Sequence, residues 1–135
     1  MGVTKERWRD VVAVAMAVVW LWGGVLHFTW HREVMNQMPS YWPWKSFFVY
    51  ASGVIELVIG AALVPRPSRR YGAIGTMLLL VLFIPAVYQI VVENTAMLGR
   101  PEVNRAVFRW SVIPGNLALF AGASWLRRST VTPSA

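Results

Sequence analysis

The sequence predicts an all-α protein, an integral membrane bundle of four transmembrane helices that forms a single membrane domain over residues 1–135. Two properties of the composition predict this class: 56% of the 135 residues are hydrophobic and only 14% are charged, whereas about a quarter of the residues of a soluble domain carry charge. The third observation is that the uncharged residues form four runs of about 20 residues, the length that crosses a bilayer core as a helix.

The predicted spans are residues 11–31, 46–64, 71–92 and 110–126, and Glu56 is their only charged residue. A backbone in lipid must satisfy its own hydrogen bonds, and these runs lack the alternation of barrel strands, so each is predicted to be a helix. We interpret the first run as a retained span. It is longer than the apolar part of a typical signal peptide, and no A-x-A-like cleavage site follows it.

The distribution of Lys and Arg predicts a multi-pass protein of the plasma membrane with both termini in the cytoplasm. The loops at residues 32–45 and 93–109 carry five of these residues. The other side carries eight, in the two tails and the turn at 65–70: Lys5, Arg7, Arg9, Arg66, Arg69, Arg70, Arg127 and Arg128. Because the charges cluster between apolar runs, the net charge of +7 favours an anionic membrane surface over nucleic acid as its partner.

Two residue patterns accompany the spans. Tryptophan prefers the headgroup region, and six tryptophans lie near predicted span ends: Trp8, Trp30, Trp42, Trp44, Trp110 and Trp125. Small residues, which let membrane helices approach closely, recur at helical spacing: Gly23, Gly24, Ser52, Gly53, Gly60, Gly72, Gly75, Gly115, Gly122 and Ala123.

The polar residues inside the spans are the candidate ligand-binding residues. Glu56 lies roughly 15 Å deep at 1.5 Å per residue, where a charge costs about 2.5–3.5 kcal/mol. The other candidates share the outer half of the membrane: His27, Ser52, Tyr88, Gln89 and Asn116. The pattern predicts an outward-facing polar pocket with Glu56 at its floor. Interhelical hydrogen bonding alone is the alternative.

Two prolines are predicted to kink helices beside these polar groups. Pro85 interrupts the third span and Pro114 the fourth, and each removes a backbone donor. Broken helices in membranes often line cavities, although a kink that only improves packing accounts for the pattern equally well.

No metal site or catalytic set is predicted. His27 and His31 are spaced i, i+4 on one helix face, but a metal site needs three or four ligands, and the chain has no further histidine and no cysteine. The sequence shows no nucleophile–base set, phosphate loop or dinucleotide fingerprint. Catalytic residues therefore stay unknown, and whether the protein is an enzyme stays open.

Several segments resemble the DoxX-like family of small bacterial four-helix membrane proteins. The most specific is Ser52-Gly53-Val54-Ile55-Glu56-Leu57-Val58-Ile59-Gly60, which looks like that family's S-G-x-x-E-L-x-x-G segment. Similar segments are Gly24-Val25-Leu26-His27-Phe28, Met38-Pro39, Trp42-Pro43, the turn from Pro65 to Arg70, and Phe83-Ile84-Pro85-Ala86. The resemblance covers about residues 20–90.

The resemblance implies a bacterial inner-membrane protein linked to a membrane redox system. Members of that family are associated with quinone-coupled sulfur oxidation and with complexes that handle oxidative stress. The matching positions are Gly24, His27, Ser52, Gly53, Glu56 and Pro85. The chain departs from the family's Phe-Pro-Ala-Asn segment, because Ile84 offsets the proline and Val87 stands in place of the asparagine. Thiol chemistry of some relatives does not transfer to a chain without cysteine.

Two functions are therefore expected. The first is an accessory or anchor subunit associated with the subunits of a membrane redox enzyme. The alternative is a membrane protein that binds a small apolar ligand such as a quinone, with Glu56 and His27 contacting its polar head. Transport has weaker support. The four spans contain one ionisable residue, and they lack the paired broken helices in symmetric halves that are typical of transporters. A homo-oligomer is compatible with either function.

Overall fold

The computed structural model describes residues 2–92 and 105–128, and all regular secondary structure within them is helical. The helices are α1 (Gly2–Thr29), α2 (His31–Met35), α3 (Lys45–Leu63), α4 (Arg69–Leu82), α5 (Ile84–Val92) and α6 (Arg105–Arg128). The all-α prediction is confirmed for this part of the chain. Most of the predicted 93–109 loop, with Arg100, and the end of the C-terminal tail after Arg128 lie outside the described residues.

Two helices are long and apolar enough to cross a membrane: α1 from Thr4 to Thr29, and α3 from Lys45 to Leu63. Helices α4 and α5 satisfy the same criterion if they form one span bent by 49°. Helix α6 covers the predicted fourth span but is not among the helices that qualify in the described chain. The structure thus supports membrane-crossing helices without fixing their number at four.

Two of the predicted spans contain a break between helices. Phe83 separates α4 from α5, and Pro85 lies in the first turn of α5, where its missing N–H costs little. Trp30 separates α1 from α2 with φ −120° and ψ 42°. Helix α6 continues through Pro114 as one helix. The predicted third span therefore consists of two helices, and the first ends at a break.

Helices α1 and α3 pack closely along antiparallel axes because glycines face backbone atoms across the interface. A Cβ atom added at Gly24 would lie 2.9 Å from the Gly53 carbonyl oxygen. A Cβ atom at Gly60 would lie 3.1 Å from the Ala17 carbonyl oxygen. These distances are too short for a side chain without a shift of the backbone. Gly115 differs, because nothing lies within 4 Å of its added Cβ.

The four longer segments form a ring in the order α1, α3, α4, α6. Helix α4 packs against α3 where Gly75 faces Ile59, and it also packs against α6. Helix α6 returns to α1 where Gly122 faces Met16. The apolar core inside this ring contains Ala13, Met16, Ala17, Trp20, Ile59, Leu63, Ala73, Leu79, Leu80, Ala123 and Leu126.

A charged network closes one end of the ring. Buried Arg69 donates from Nε to the Leu63 carbonyl oxygen (3.0 Å) and from Nη2 to the Val64 carbonyl oxygen (3.0 Å). Its Nη1 donates to Asp10 Oδ1 (2.8 Å), and Arg66 Nη2 donates to Asp10 Oδ2 (2.7 Å). The last carbonyls of a helix lack partners within the helix, so Arg69 satisfies the end of α3 and joins it to α1.

Candidate functional site

The candidate site is a buried pair formed by His27 of α1 and Glu56 of α3. Glu56 is only 2% exposed. The His27 Nδ1 atom lies 3.4 Å from Glu56 Oε2. A buried carboxylate is costly unless a charged or hydrogen-bonding partner compensates for the lost water. The burial of Glu56 is therefore unfavourable by itself, and His27 lies close enough to offset this cost with a hydrogen bond or a positive charge.

Gly23 makes the pair sterically feasible. A Cβ atom added at Gly23 would lie 2.6 Å from Glu56 Oε2, a distance that real Cβ atoms do not adopt. The carboxylate of α3 therefore occupies the volume that a side chain on α1 would take. Gly23 also accepts a hydrogen bond from His27, since its carbonyl oxygen lies 2.9 Å from Nδ1. One glycine thus gives room to Glu56 and orients His27.

The hydrogen bond to Gly23 fixes the position of one proton on His27. A carbonyl oxygen only accepts, so the Nδ1 atom must carry the proton. The same N–H faces Glu56 Oε2 at the longer distance of 3.4 Å. The Nε2 atom has no hydrogen-bond partner among the described residues. This arrangement leaves a free lone pair in neutral His27, or a second N–H in the imidazolium form.

Two other candidate residues satisfy their polar groups within their own helices. Ser52 Oγ donates to the Val49 carbonyl oxygen at 3.0 Å. Asn116 Nδ2 donates to the Val112 carbonyl oxygen at 2.7 Å. Such local bonds are a common outcome for short polar side chains in helices. Among the described residues, neither side chain forms a hydrogen bond with His27 or Glu56.

The two candidates on α5 differ from each other. Tyr88 is 62% exposed on the outside of the ring, whereas its neighbour Gln89 is buried. No hydrogen bond joins Tyr88 to the buried pair in the described structure. The structure brings together His27 and Glu56, buries Gln89, and leaves Tyr88 exposed.

His31 belongs to a separate cluster at the same end of the hairpin. Its Nε2 atom forms a hydrogen bond with Ser46 Oγ at 2.9 Å, and its ring stacks on Tyr50 with 4.1 Å between centroids. Because the break at Trp30 precedes it, His31 does not continue the helix of His27. No group of three His, Cys, Asp or Glu side chains suited to a metal ion occurs in the described part of the chain.

Sequence reasoning missed two parts of this arrangement. Gly23 was assigned only to packing, although the i, i+4 spacing from Gly23 to His27 could have indicated their hydrogen bond. The role of Asp10 was also missed, because the membrane orientation is predicted from Lys and Arg alone. Its spacing from Glu6 places two carboxylates on one face of α1, and both form ion pairs with Arg66.

The fold and this pair define a small all-helical protein with membrane-compatible helices and a buried histidine–glutamate pair. The chain belongs to the family described as a domain of unknown function (DUF8561), whose model matches residues 16–127. No curated protein and no solved structure matches the chain.

The family match corrects the resemblance drawn from the sequence. It covers the 20–90 region on which that resemblance depended, and it assigns the region to an uncharacterised family instead. The resemblance to the DoxX-like family is therefore wrong, and the link to sulfur oxidation and oxidative stress has no support. Three glycines of the motifs that carried it, Gly24, Gly53 and Gly60, lie where the backbones of α1 and α3 touch.

Proposed function

We propose that this protein is a multi-pass membrane protein that binds the polar head of a small apolar molecule at the His27–Glu56 pair. The observation that carries the proposal is the buried carboxylate held 3.4 Å from a histidine whose second nitrogen has no partner in the described structure. An ionisable residue inside a membrane helix is a functional candidate because hydrocarbon penalises it strongly.

The outer surface of the ring supports the membrane location. Large apolar side chains are exposed along five of the helices, including Val18, Trp22, Val58, Leu78, Leu82, Ile84 and Leu117. Soluble proteins rarely expose contiguous apolar surface on this scale, whereas lipid tails solvate it without cost. The proposal assigns four crossings, made by α1, α3, the bent α4–α5 pair and α6.

Contacts at one end of the ring support the proposed orientation. The network of Asp10 with Arg66 and Arg69 holds the start of α1 beside the turn between α3 and α4. Gly122, near the end of α6, faces Met16 and Val12 of α1. The three segments rich in Lys and Arg therefore meet at one end, and the excess of positive charge there indicates the cytoplasmic side.

The chemistry of the pair suggests the class of ligand. His27 Nε2 offers one hydrogen-bonding atom, and the Glu56 carboxyl group accepts hydrogen bonds when ionised and donates one when protonated. A ligand with a carbonyl or hydroxyl head matches these groups, and an apolar body suits its membrane surroundings. Quinones are one such class.

Native mass spectrometry of the protein, gently solubilised from its own membranes, tests this proposal. We expect a small-mass adduct on the wild-type protein that disappears in Glu56→Ala. Glu33→Ala is the matched control, since Glu33 lies on α2 outside the core and makes no ion pair or hydrogen bond in the described structure. An adduct retained by Glu56→Ala, or no adduct on the wild type, would contradict the proposal.

The accessory or anchor subunit stays an untested prediction of the sequence. A stoichiometric protein partner without a small-mass adduct in the same spectra would favour it over the ligand site. A second copy of the chain would appear in those spectra as a homo-oligomer.

A further inference from the structure

Two buried polar atoms inside the ring lack partners. Trp20 is 4% exposed and Thr76 is fully buried. The Trp20 Nε1 atom and the Thr76 Oγ1 atom have no hydrogen-bond partner among the described residues. A buried polar group without a partner is unfavourable because it has lost its hydrogen bonds to water. Each of these two atoms therefore needs a partner that the described helices do not supply.

The helix register places these residues at the same depth. Trp20 lies midway between Ala17 and Gly23, and these face Gly60 and Glu56 of α3. Thr76 follows Gly75, which faces Ile59 of α3. Since Ile59 falls between Glu56 and Gly60, both residues lie within one helical turn of Glu56 along the axis.

Both side chains belong to the space enclosed by the ring. The Trp20 ring lies 6.5 Å from the ring of Phe83, which ends α4, and Trp20 shares the apolar core with Leu79 and Leu80 of α4. Thr76 lies one turn before Leu80 on the same face of α4. The indole of α1 therefore crosses the interior towards the helix that carries Thr76.

Thr76 also departs from the behaviour of the other short polar residues. A hydroxyl in a membrane helix can bond to the carbonyl three or four residues earlier. Ser52 and Thr29 do so, with donor–acceptor distances of 3.0 Å to Val49 and 3.2 Å to Val25. Thr76 forms no such bond. Its hydroxyl stays available to a group from outside its own helix.

We propose that Trp20 and Thr76 together bind one oxygen atom in the core between α1 and α4. The indole N–H donates only and the hydroxyl donates or accepts, so the matching chemistry is an acceptor oxygen, supplied by a ligand carbonyl or by an internal water molecule. This site lies nearer the start of α1 than the His27–Glu56 pair does. It does not depend on a ligand at that pair.

A double-mutant cycle tests the proposal through the thermal midpoint in detergent. Thr76→Val keeps the size of the side chain, and Trp20→Phe keeps an aromatic ring of smaller volume, while both remove the polar atoms. We expect each single substitution to lower the midpoint by about 4 °C. The double variant should lose clearly less than the sum, because both partners hold the same oxygen. Thr29→Val is the control, since its hydroxyl is exposed and bonded within its own helix.

Two results would overturn the proposal. If Thr76→Val raises the midpoint, the hydroxyl is an unpaired group in a dry core. If the two effects add, the atoms do not share a partner. Given coupling, native mass spectra distinguish the sources: an organic adduct lost in Thr76→Val indicates a ligand carbonyl, and coupling without an adduct indicates water. The effect of Glu56→Ala on an adduct tests the proposed function and is not used to judge the oxygen site of Trp20 and Thr76.

Discussion

Glu56 shows how a single residue sets requirements on its neighbours. A carboxylate in the core needs a hydrogen-bonding partner and enough volume, and α1 supplies both within one turn. His27 supplies the partner, and Gly23 supplies the volume and the acceptor that orients the imidazole. The pair therefore depends on the absence of a side chain at Gly23 as much as on the presence of His27.

Gly23→Ala tests this requirement. The added methyl group would collide with the Glu56 carboxylate at 2.6 Å, so we expect the carboxylate to move and the free energy of unfolding to fall by about 1–3 kcal/mol. Thermal or denaturant unfolding in detergent measures the change. Gly115→Ala is the matched control. It has open space and gains up to about 1 kcal/mol of helix propensity. Equal effects of the two substitutions would refute the steric argument.

The sequence predicted only part of the candidate site. Glu56 and His27 could be found, because hydrocarbon penalises ionisable groups wherever the helix faces. The role of Gly23 could not, because it depends on which residue of α3 lies opposite. Ser52 and Asn116 bond to their own backbones instead of to the pair. Depth along a span is readable from sequence, whereas the direction of a side chain depends on packing.

At the scale of helices, Arg69 combines two tasks that usually need separate residues. It binds the free carbonyls at the end of α3, and it binds Asp10 at the start of the α1 apolar segment. Arg66 lies outside this buried contact and shares the same carboxylate, whose hydrogen bond raises the pKa of the Arg66 guanidinium. The turn between α3 and α4 is thereby tied to α1.

Asp10→Asn tests this connection. The substitution removes the charge that compensates buried Arg69, and an uncompensated buried charge is strongly unfavourable. We expect a lower thermal midpoint in detergent than for the wild type. Glu6→Gln is the control, because Glu6 and Arg66 are both exposed and 3.7 Å apart, and exposed ion pairs contribute little. The explanation fails if Glu6→Gln destabilises the protein as much as Asp10→Asn.

Helix boundaries were predicted well where the apolar run and the helix begin and end at nearly the same residues. The predicted 46–64 span differs from α3 by one residue at each end. Helix α1 begins nine residues before the predicted span. Charged residues end an apolar run, but they do not interrupt the backbone hydrogen bonds of a helix. The 49° bend at Phe83 follows from the nearby proline, but its angle depends on how α4 and α5 pack against α6.

For the whole molecule, the central quantity is the number of crossings. Helix α6 is 24 residues long with Arg127 and Arg128 in its last turn and Pro114 and Asn116 inside it. Its apolar length is therefore the smallest of the four segments. Four crossings place both termini on one side of the membrane, and three place them on opposite sides.

Single introduced cysteines can determine the topology, because the natural chain contains no cysteine. A membrane-impermeant maleimide added to intact cells should label Ser40→Cys in the α2–α3 loop. It should label Pro67→Cys and Ala135→Cys only after permeabilisation. Pro67 and Ser40 are exposed, and neither substitution changes the Lys and Arg count. Labelling of Ala135→Cys in intact cells, with Pro67→Cys protected, would contradict four crossings.

The contact between Gly23 and Glu56 affects which substitutions can be accepted at these two positions during evolution. A side chain at position 23 requires the Glu56 carboxylate to move, and both positions lie within the matched family region. Mutation at one position therefore changes which residues are acceptable at the other, so the two are expected to vary together among descendants. A family member with a larger residue at position 23 should also have replaced the acid at position 56, and with it the buried pair.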